Sequence, residues 1–231
     1  MGSTRLPGKI LLPLNSKGDS ILKKIISTIL SRYTADQIIV ATSREPKDDL
    51  VADLAKSNNV NYHRGSENNV LERFYEVIGR FACNHVVRLT GDNPFVDIET
   101  LNEVLSSHIS AGVDYSYSIG LPVGMNVEVI STPALRRTYS EATTEADFEH
   151  VTHYIRRNRE DFKVAEIDKS SSALPHHLRL TVDTPEDYHL AKELVALSAT
   201  QSCTPDISFL KAVYRHRPNL FQINQHVTQR S

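Results

Sequence analysis

The chain has 231 residues, 40% of them hydrophobic and 23% charged, with a formal net charge of -2 at pH 7. That length buries a substantial core in one domain, the near-neutral balance offers no basic face for nucleic acid, and no apolar run reaches the ~18 to 20 residues of a membrane span. Cys83 and Cys203 are the two cysteines, too far apart in sequence to suggest a disulfide framework or a thiolate metal site.

The opening MGSTRLPGK mixes Gly2, Ser3, Thr4 and Gly8 with Arg5 and Lys9. It offers backbone N–H groups and two cations, which is what a polyphosphate needs. Such loops normally follow a strand, and nothing precedes Met1 here, so the expectation is a start that is unusual or shortened. No basic stretch leading into an apolar core is visible, and the expected location is the cytoplasm.

Apolar residues in DSILKKIISTILSRY recur on one side at Ile21, Leu22, Ile25, Ile26, Ile29 and Leu30, which predicts a helix capped by Asp19. QIIVAT follows as a strand, DDLVADLAKSNN as a helix, VNYHRG as a strand, NVLERFYEVIGRFA as a helix and HVVRLTGD as a strand. IETLNEVLSSHISAG then reads as a helix and DYSYSI as a strand. This alternation is the signature of a mostly parallel sheet with crossover helices. After Pro122 the pattern changes to a strand-like MNVEVIS and two helical stretches around PALRRTYSEA and EADFEHVTHYIRRN, so 122–177 is expected to be a β/α extension within a single domain spanning 1–231. LRLTV predicts a return to the sheet, TPEDYHLAKELVAL a helix with Pro185 in its first turn, and PDISFLKAVYRHRPNL a last helix.

In open parallel sheets ligands bind beyond the carboxyl ends of strands. Three segments fall there: the opening loop, RLTGDNP and LTVDTPED. Asp92 and Asp183 each sit where a strand becomes a turn. Each alone reads first as a turn or capping residue. Together they can hold one Mg²⁺, which prefers oxygen ligands and shares its shell with water and phosphate. With Arg5 and Lys9 the set supplies the charge a metal-bound triphosphate needs.

Other chemistries find less support. Ile10 follows Lys9 where a Walker loop needs Ser or Thr, and no G-x-G-x-x-G, G-x-S-x-G or D-x-D is present. His150 and His153 share a helical spacing but lack a third zinc ligand within reach in sequence.

The segments MGSTRLPGK, ENNVLERFYEV, VVRLTGDNPFVD, VGMNVEVI, DFEHVTHYIRRN and LRLTVDTPEDY, in this order, resemble the cytidylyltransferase-like family of spore coat polysaccharide biosynthesis protein F. That family is related to acylneuraminate and 3-deoxy-manno-octulosonate cytidylyltransferases. The resemblance spans nearly the whole chain. It implies a Rossmann-like, GT-A-like nucleotidyltransferase α/β fold with its first strand missing here, a homodimer, and transfer of CMP from CTP to a sugar acid or related acceptor with release of pyrophosphate.

Mapped onto this chain, the resemblance places Arg5 and Lys9 on the triphosphate, with Ser3, Thr4, Thr90 and Gly91 lining the nucleotide site, and makes Asp92 and Asp183 the Mg²⁺ ligands. Asn126 and Glu128 become the candidates for acceptor contact, with buried-strand or dimer roles as their alternative. Departures are Asn68 and Asn69 where relatives often carry acidic residues, and Asn126 where Asp is common. The rival expectations are a family member without catalysis and a glycosyltransferase that uses a nucleotide-sugar.

Overall fold

A computed structural model of the chain describes residues 5–172 and 174–229. The opening stretch curls into a 3₁₀ turn over Lys9–Leu11 and leads into α1, Ile21–Leu30. The cap of α1 is Ser20, whose hydroxyl accepts the Lys23 N–H, rather than the expected Asp19. Asp19 instead accepts from Asn15 and pairs with Lys23, so it closes the preceding turn.

Two strands then form a parallel pair, β1 (Ile39–Ser43) and β2 (Asn61–Gly65), joined by α2 (Asp49–Ser57). The register sets Ile39 opposite Asn61 and Ser43 opposite Gly65. After α3 (Val70–Arg80) come β3 (His85–Arg88), α4 (Ile98–Ala111), β4 (Tyr115–Ile119) and β5 (Glu128–Ser131). The short helices α5 (Thr132–Glu141), α6 (Glu145–Glu149) and α7 (His153–Arg157) precede β6 (Val164–Asp168), and α8 (Pro185–Thr200) and α9 (Ile207–His216) close the chain.

The second sheet has the order β3-β5-β4-β6 and is mixed. β5 runs antiparallel to both neighbours, while β4 and β6 are parallel. The predicted α/β alternation therefore holds as far as β4, and the change of character after Pro122 is where a strand of opposite direction is inserted.

Two expectations need correction. EADFEHVTHYIRRN is two helices broken at 150–152, because Val151 sits at φ 35°, outside the right-handed helical region. LRLTV is no strand: the chain bends at Thr181, and Arg179 forms an isolated bridge with Val123. Its partner is the loop at 120–124, where Gly124 at φ 97° lets the backbone approach Thr181 so closely that a Cβ would clash with the Thr181 amide. The strand β6 within FKVAEID was not anticipated.

Successive residues of a strand face opposite sides, and β5 shows it. Val129 enters a core with Phe95, Leu101, Val104, Leu180, Val182, Leu190 and Leu194. Ile130 enters a second core with Leu71, Ile78, Tyr115, Leu135, Val151 and Ile155. A third, smaller cluster of Leu22, Ile26, Ile38, Val51, Ala55 and Val60 packs α1 and α2 near the β1–β2 pair. No helix among the described residues is long and apolar enough to cross a membrane.

Candidate active site

Three distant segments converge on one group of charges. Gly8, at φ 68°, turns the chain into the 3₁₀ segment and sends Lys9 inward. The Lys9 ammonium donates to Asp92 Oδ2 at 2.7 Å and to Asp183 Oδ1 at 2.7 Å. Arg5 Nη2 lies 3.4 Å from the other Asp183 oxygen. Asp92 follows β3 after a short loop, and Asp183 stands just before Thr184, the N-cap of α8. A backbone bond from Val182 N–H to Asp92 C=O, 2.9 Å, ties the two acidic segments together.

Each carboxylate is also held from behind. Thr90 Oγ1 donates to Asp92 Oδ1 at 2.6 Å. Arg179 Nη2 donates to Asp183 Oδ2 at 2.8 Å, and the same guanidinium grips Asp187 through Nε and Nη2. Asp187 is fully buried, accepts the N–H groups of Asp183 and Thr184, completes the capping box of α8, and takes a further bond from Asn224. The orientation of Asp183 is thus fixed by a buried Arg179–Asp187–Asn224 network.

Burial alone would raise the Asp183 carboxyl, yet Lys9, Arg179 and Arg5 outweigh it and hold the group below the usual carboxylate range. Burial likewise works against the Lys9 charge, and Asp92 and Asp183 outweigh it and hold the ammonium above its usual value. Both remain charged at neutral pH.

Beside this cluster opens a cleft of about 600 Å³, lined in part by Thr90, Asn93, Tyr117, Asn126, His150 and Arg156. Its floor is Glu128, a buried carboxylate on β5. Glu128 accepts from Arg88 (2.6 Å), Arg156 (2.7 Å), Thr152 (3.0 Å) and the Tyr115 hydroxyl (2.5 Å). Burial would push Glu128 up, and Arg88, Tyr115 and Arg156 together hold it below its usual value. The Tyr115 phenol is driven the other way, up, by burial and by the adjacent Glu128.

Of the residues singled out in the sequence, Arg5, Lys9, Thr90, Asp92 and Asp183 come together, and Gly91 packs beside Ile10 of the opening turn. Asn126 is exposed and lines the cleft, as does Glu128. Ser3 and Thr4 lie outside the described residues. Sequence reasoning missed Arg179, Asp187 and Asn224, and on the cleft side Arg88, Thr152 and Arg156. A signal existed for one: Thr184 followed three residues later by Asp187 is a capping-box pattern.

A hard divalent ion takes one or two carboxylates and completes its shell with water and phosphate. Asp92 and Asp183 fit such an ion, because they face a common point that a cation, the Lys9 ammonium, already touches at hydrogen-bond distance from both. Among the described residues no group of three or more His, Cys, Asp or Glu side chains could hold a metal, so an all-protein cage is not what this pair belongs to.

A family model described as Cytidylyltransferase matches residues 1–226. The chain belongs to the cytidylyltransferase family. Among relatives of this cytidylyltransferase-family chain, spore coat polysaccharide biosynthesis protein SpsF of Bacillus subtilis is 35% identical over 211 residues, covering 90% of this chain and 87% of that protein. A cytidylyltransferase structure from Leptospira borgpetersenii superposes with a TM-score of 0.87 at 26% identity, covering 100% of this chain and 95% of that one. CMP:2-keto-3-deoxy-manno-octonic acid synthetase, solved with CTP, shares the fold at a TM-score of 0.61 and 16% identity, over 85% of this chain and 95% of its own.

Proposed function

We propose that this protein transfers CMP from CTP to a hydroxyl of a sugar acid or a related acceptor, releasing pyrophosphate, in the synthesis of a surface polysaccharide or glycan. The observation that carries the reading is the meeting of Lys9, Asp92 and Asp183 at one point beside an open cleft lined by charged and polar side chains. Family membership supports the nucleotidyl chemistry, and the relative's role in spore coat polysaccharide biosynthesis supports the setting.

In this reading Arg5 and Lys9 engage the triphosphate, with Ser3, Thr4, Thr90 and Gly91 around the nucleotide. Asp92 and Asp183 hold Mg²⁺. The ion, when bound, neutralises charge on the leaving pyrophosphate. The acceptor lies in the cleft against Asn126, where Arg88 and Arg156, both fixed by Glu128, leave one net positive charge for an acidic group of the acceptor. The acceptor hydroxyl oxygen bonds to the α-phosphorus as the bond from that phosphorus to the β-bridging oxygen breaks, pyrophosphate leaves and the hydroxyl proton passes to solvent. Holding both partners in line is most of the catalysis such transfers need.

The segment 122–177 supplies β5, β6 and much of the cleft, and we assign it the acceptor side and the contact of a homodimer. The location we assign is the cytoplasm.

The test is pyrophosphate release with CTP, Mg²⁺ and a panel of 2-keto sugar acids. Release is expected only when all three are present. Asp92→Asn is expected to lower turnover by about 10² or more, in line with the loss of a principal electrostatic group, while the fold persists through Thr90 and the Lys9–Asp183 pair. Full activity of Asp92→Asn removes the metal role; release of a nucleotide from a sugar donor in place of pyrophosphate points to glycosyl transfer instead.

A further inference from the structure

Lys9 stands where two roles collide. Its ammonium bridges Asp92 and Asp183 at 2.7 Å each, the point a divalent ion between those carboxylates would claim, and yet the function proposed above gives Lys9 to the triphosphate. The three cations of the cluster, Lys9, Arg5 and Arg179, face three carboxylates, Asp92, Asp183 and Asp187. Among the described residues the cluster is balanced, three cations against three carboxylates.

The cations are not equally fixed. Arg179 is buried, bidentate on Asp187 and shared with Asp183, and its backbone carbonyl is held by Asn224. Its planar guanidinium has nowhere to go. Lys9 sits at the end of a flexible four-carbon stem on a short 3₁₀ turn that follows a left-handed glycine, and its partners are the two carboxylates. Lys9 can leave; Arg179 cannot.

We propose that Lys9 is a positioning residue with two stations. In the free protein it holds Asp92 and Asp183 at the spacing a metal needs and occupies that spacing itself, which shuts out free divalent cations. When a polyphosphate arrives, Lys9 transfers to its oxygens and gives up the carboxylate pair, so that metal is admitted only together with nucleotide. The inference rests on the reading of the site given above.

The electrostatics run in this direction. A free divalent ion approaching the balanced cluster must displace an ammonium from both of its carboxylate partners without offering it new oxygens, which costs buried charge. A metal–triphosphate complex still carries net negative charge and offers Lys9 and Arg5 new oxygens at the moment the carboxylates are released. Two exchanges of partner then replace one uncompensated loss.

The experiment uses Mn²⁺ as probe, by calorimetry and by the electron paramagnetic signal of the free ion, on the full chain alone and with the non-hydrolysable CTP analogue bearing a methylene between the α- and β-phosphates. Lys9→Met is expected to bind Mn²⁺ alone about tenfold or more tighter than the wild type, the scale set by removing one unit charge at contact distance, and to bind the analogue about tenfold more weakly. Lys9→Gln, which keeps hydrogen-bond donors to both carboxylates, is expected to show the same gain and guards against misfolding of Lys9→Met.

If both variants bind free Mn²⁺ no better than the wild type, the two-station role is overturned. A gain in Mn²⁺ binding by a protein that never binds the CTP analogue supports the exclusion of free metal and overturns both the transfer of Lys9 and the cytidylyl reading. Tight analogue binding with unchanged metal affinity leaves that reading intact and removes the inference.

Discussion

Two carboxylates anchor neighbouring regions of this molecule, and they are held in opposite ways. Asp183 faces Lys9, Arg5 and Arg179, with side-chain exposures of 14% for the acid and 12% for the lysine. Glu128, 8% exposed, faces Arg88, Arg156, Tyr115 and Thr152. The first region keeps a cation on a flexible arm beside Asp92, whose side chain is 26% exposed. The second closes every oxygen of its acid with planar or buried donors. The first arrangement leaves a cation free to exchange partners, the second fixes its carboxylate, and the proposed transfer uses both.

The largest effect should come from breaking the permanent one. Glu128→Ala leaves Arg88 and Arg156 facing each other and a buried tyrosine hydroxyl without its acceptor. Removing one partner of a buried ion pair costs about 3 to 5 kcal/mol, which in a domain of this size lowers the melting temperature by about 6 to 20 °C. Denaturant melts of Glu128→Ala and Glu128→Gln check it, with Gln expected to lose less because it still accepts a bond. Asp183→Asn, which keeps an oxygen for Arg179 while giving up the charge that faces Lys9 and Arg5, is the contrasting variant. If it destabilises as much as Glu128→Ala, the division between exchangeable and permanent regions is wrong.

A third buried group has no ion-pair partner in contact among the described residues. His108 on α4 is fully buried, shares a hydrogen bond of 2.9 Å with Ser116 of β4, and stacks edge to face on His85. Burial, with the neighbouring His85, pushes His108 down to about 4, and only Asp114 pulls the other way. An unfolded chain's histidine titrates near about 6.5, so between the two values the unfolded state binds more protons than the fold. The His108 contribution is complete above about pH 6.5, is lost as the pH falls, and levels off below about 4, for a total of about 3 kcal/mol. Urea midpoints from pH 7 to 4.5 should fall for the wild type and fall distinctly less for His108→Gln; equal slopes in both would clear His108 of the effect.

Much of this was legible in the sequence because the reading rests on local patterns. The two acids follow apolar runs and stand at turns, and Lys9 sits in a loop rich in glycine and small polar residues, so composition and position sufficed for the charge cluster. The fold class followed from strand and helix alternation as far as β4. What the sequence hid was non-local. Arg179 and Asp187 look like ordinary residues flanking a turn, and Asn224, from the far end of the chain, bonds both the Arg179 carbonyl and the Asp187 carboxylate. The antiparallel insertion of β5 has no period of its own to announce its direction. The break at Val151 was invisible because a valine is a poor residue for the backbone it adopts.

That valine offers the smallest and sharpest test. Val151 is fully buried at φ 35°, a region β-branched residues avoid, and its neighbours His150 and Thr152 line the cleft. The Thr152 N–H closes the turn on the His150 carbonyl, while the Thr152 hydroxyl is tied to Glu128 at 3.0 Å. Strain held at a site by its surroundings points to a geometric duty. Val151→Ala loses about 2 kcal/mol of burial and relieves nothing, since alanine also has a Cβ. Val151→Gly loses the burial of the Cβ as well, about 0.8 kcal/mol more, but escapes the left-handed penalty of about 1 to 2 kcal/mol, and should therefore come out no less stable than the alanine variant, against the usual order. The same variant loosens the turn, so its KM for the acceptor should rise while its affinity for the CTP analogue stays put. A glycine variant less stable than the alanine one, with both substrates unaffected, would make this turn a plain connector between α6 and α7.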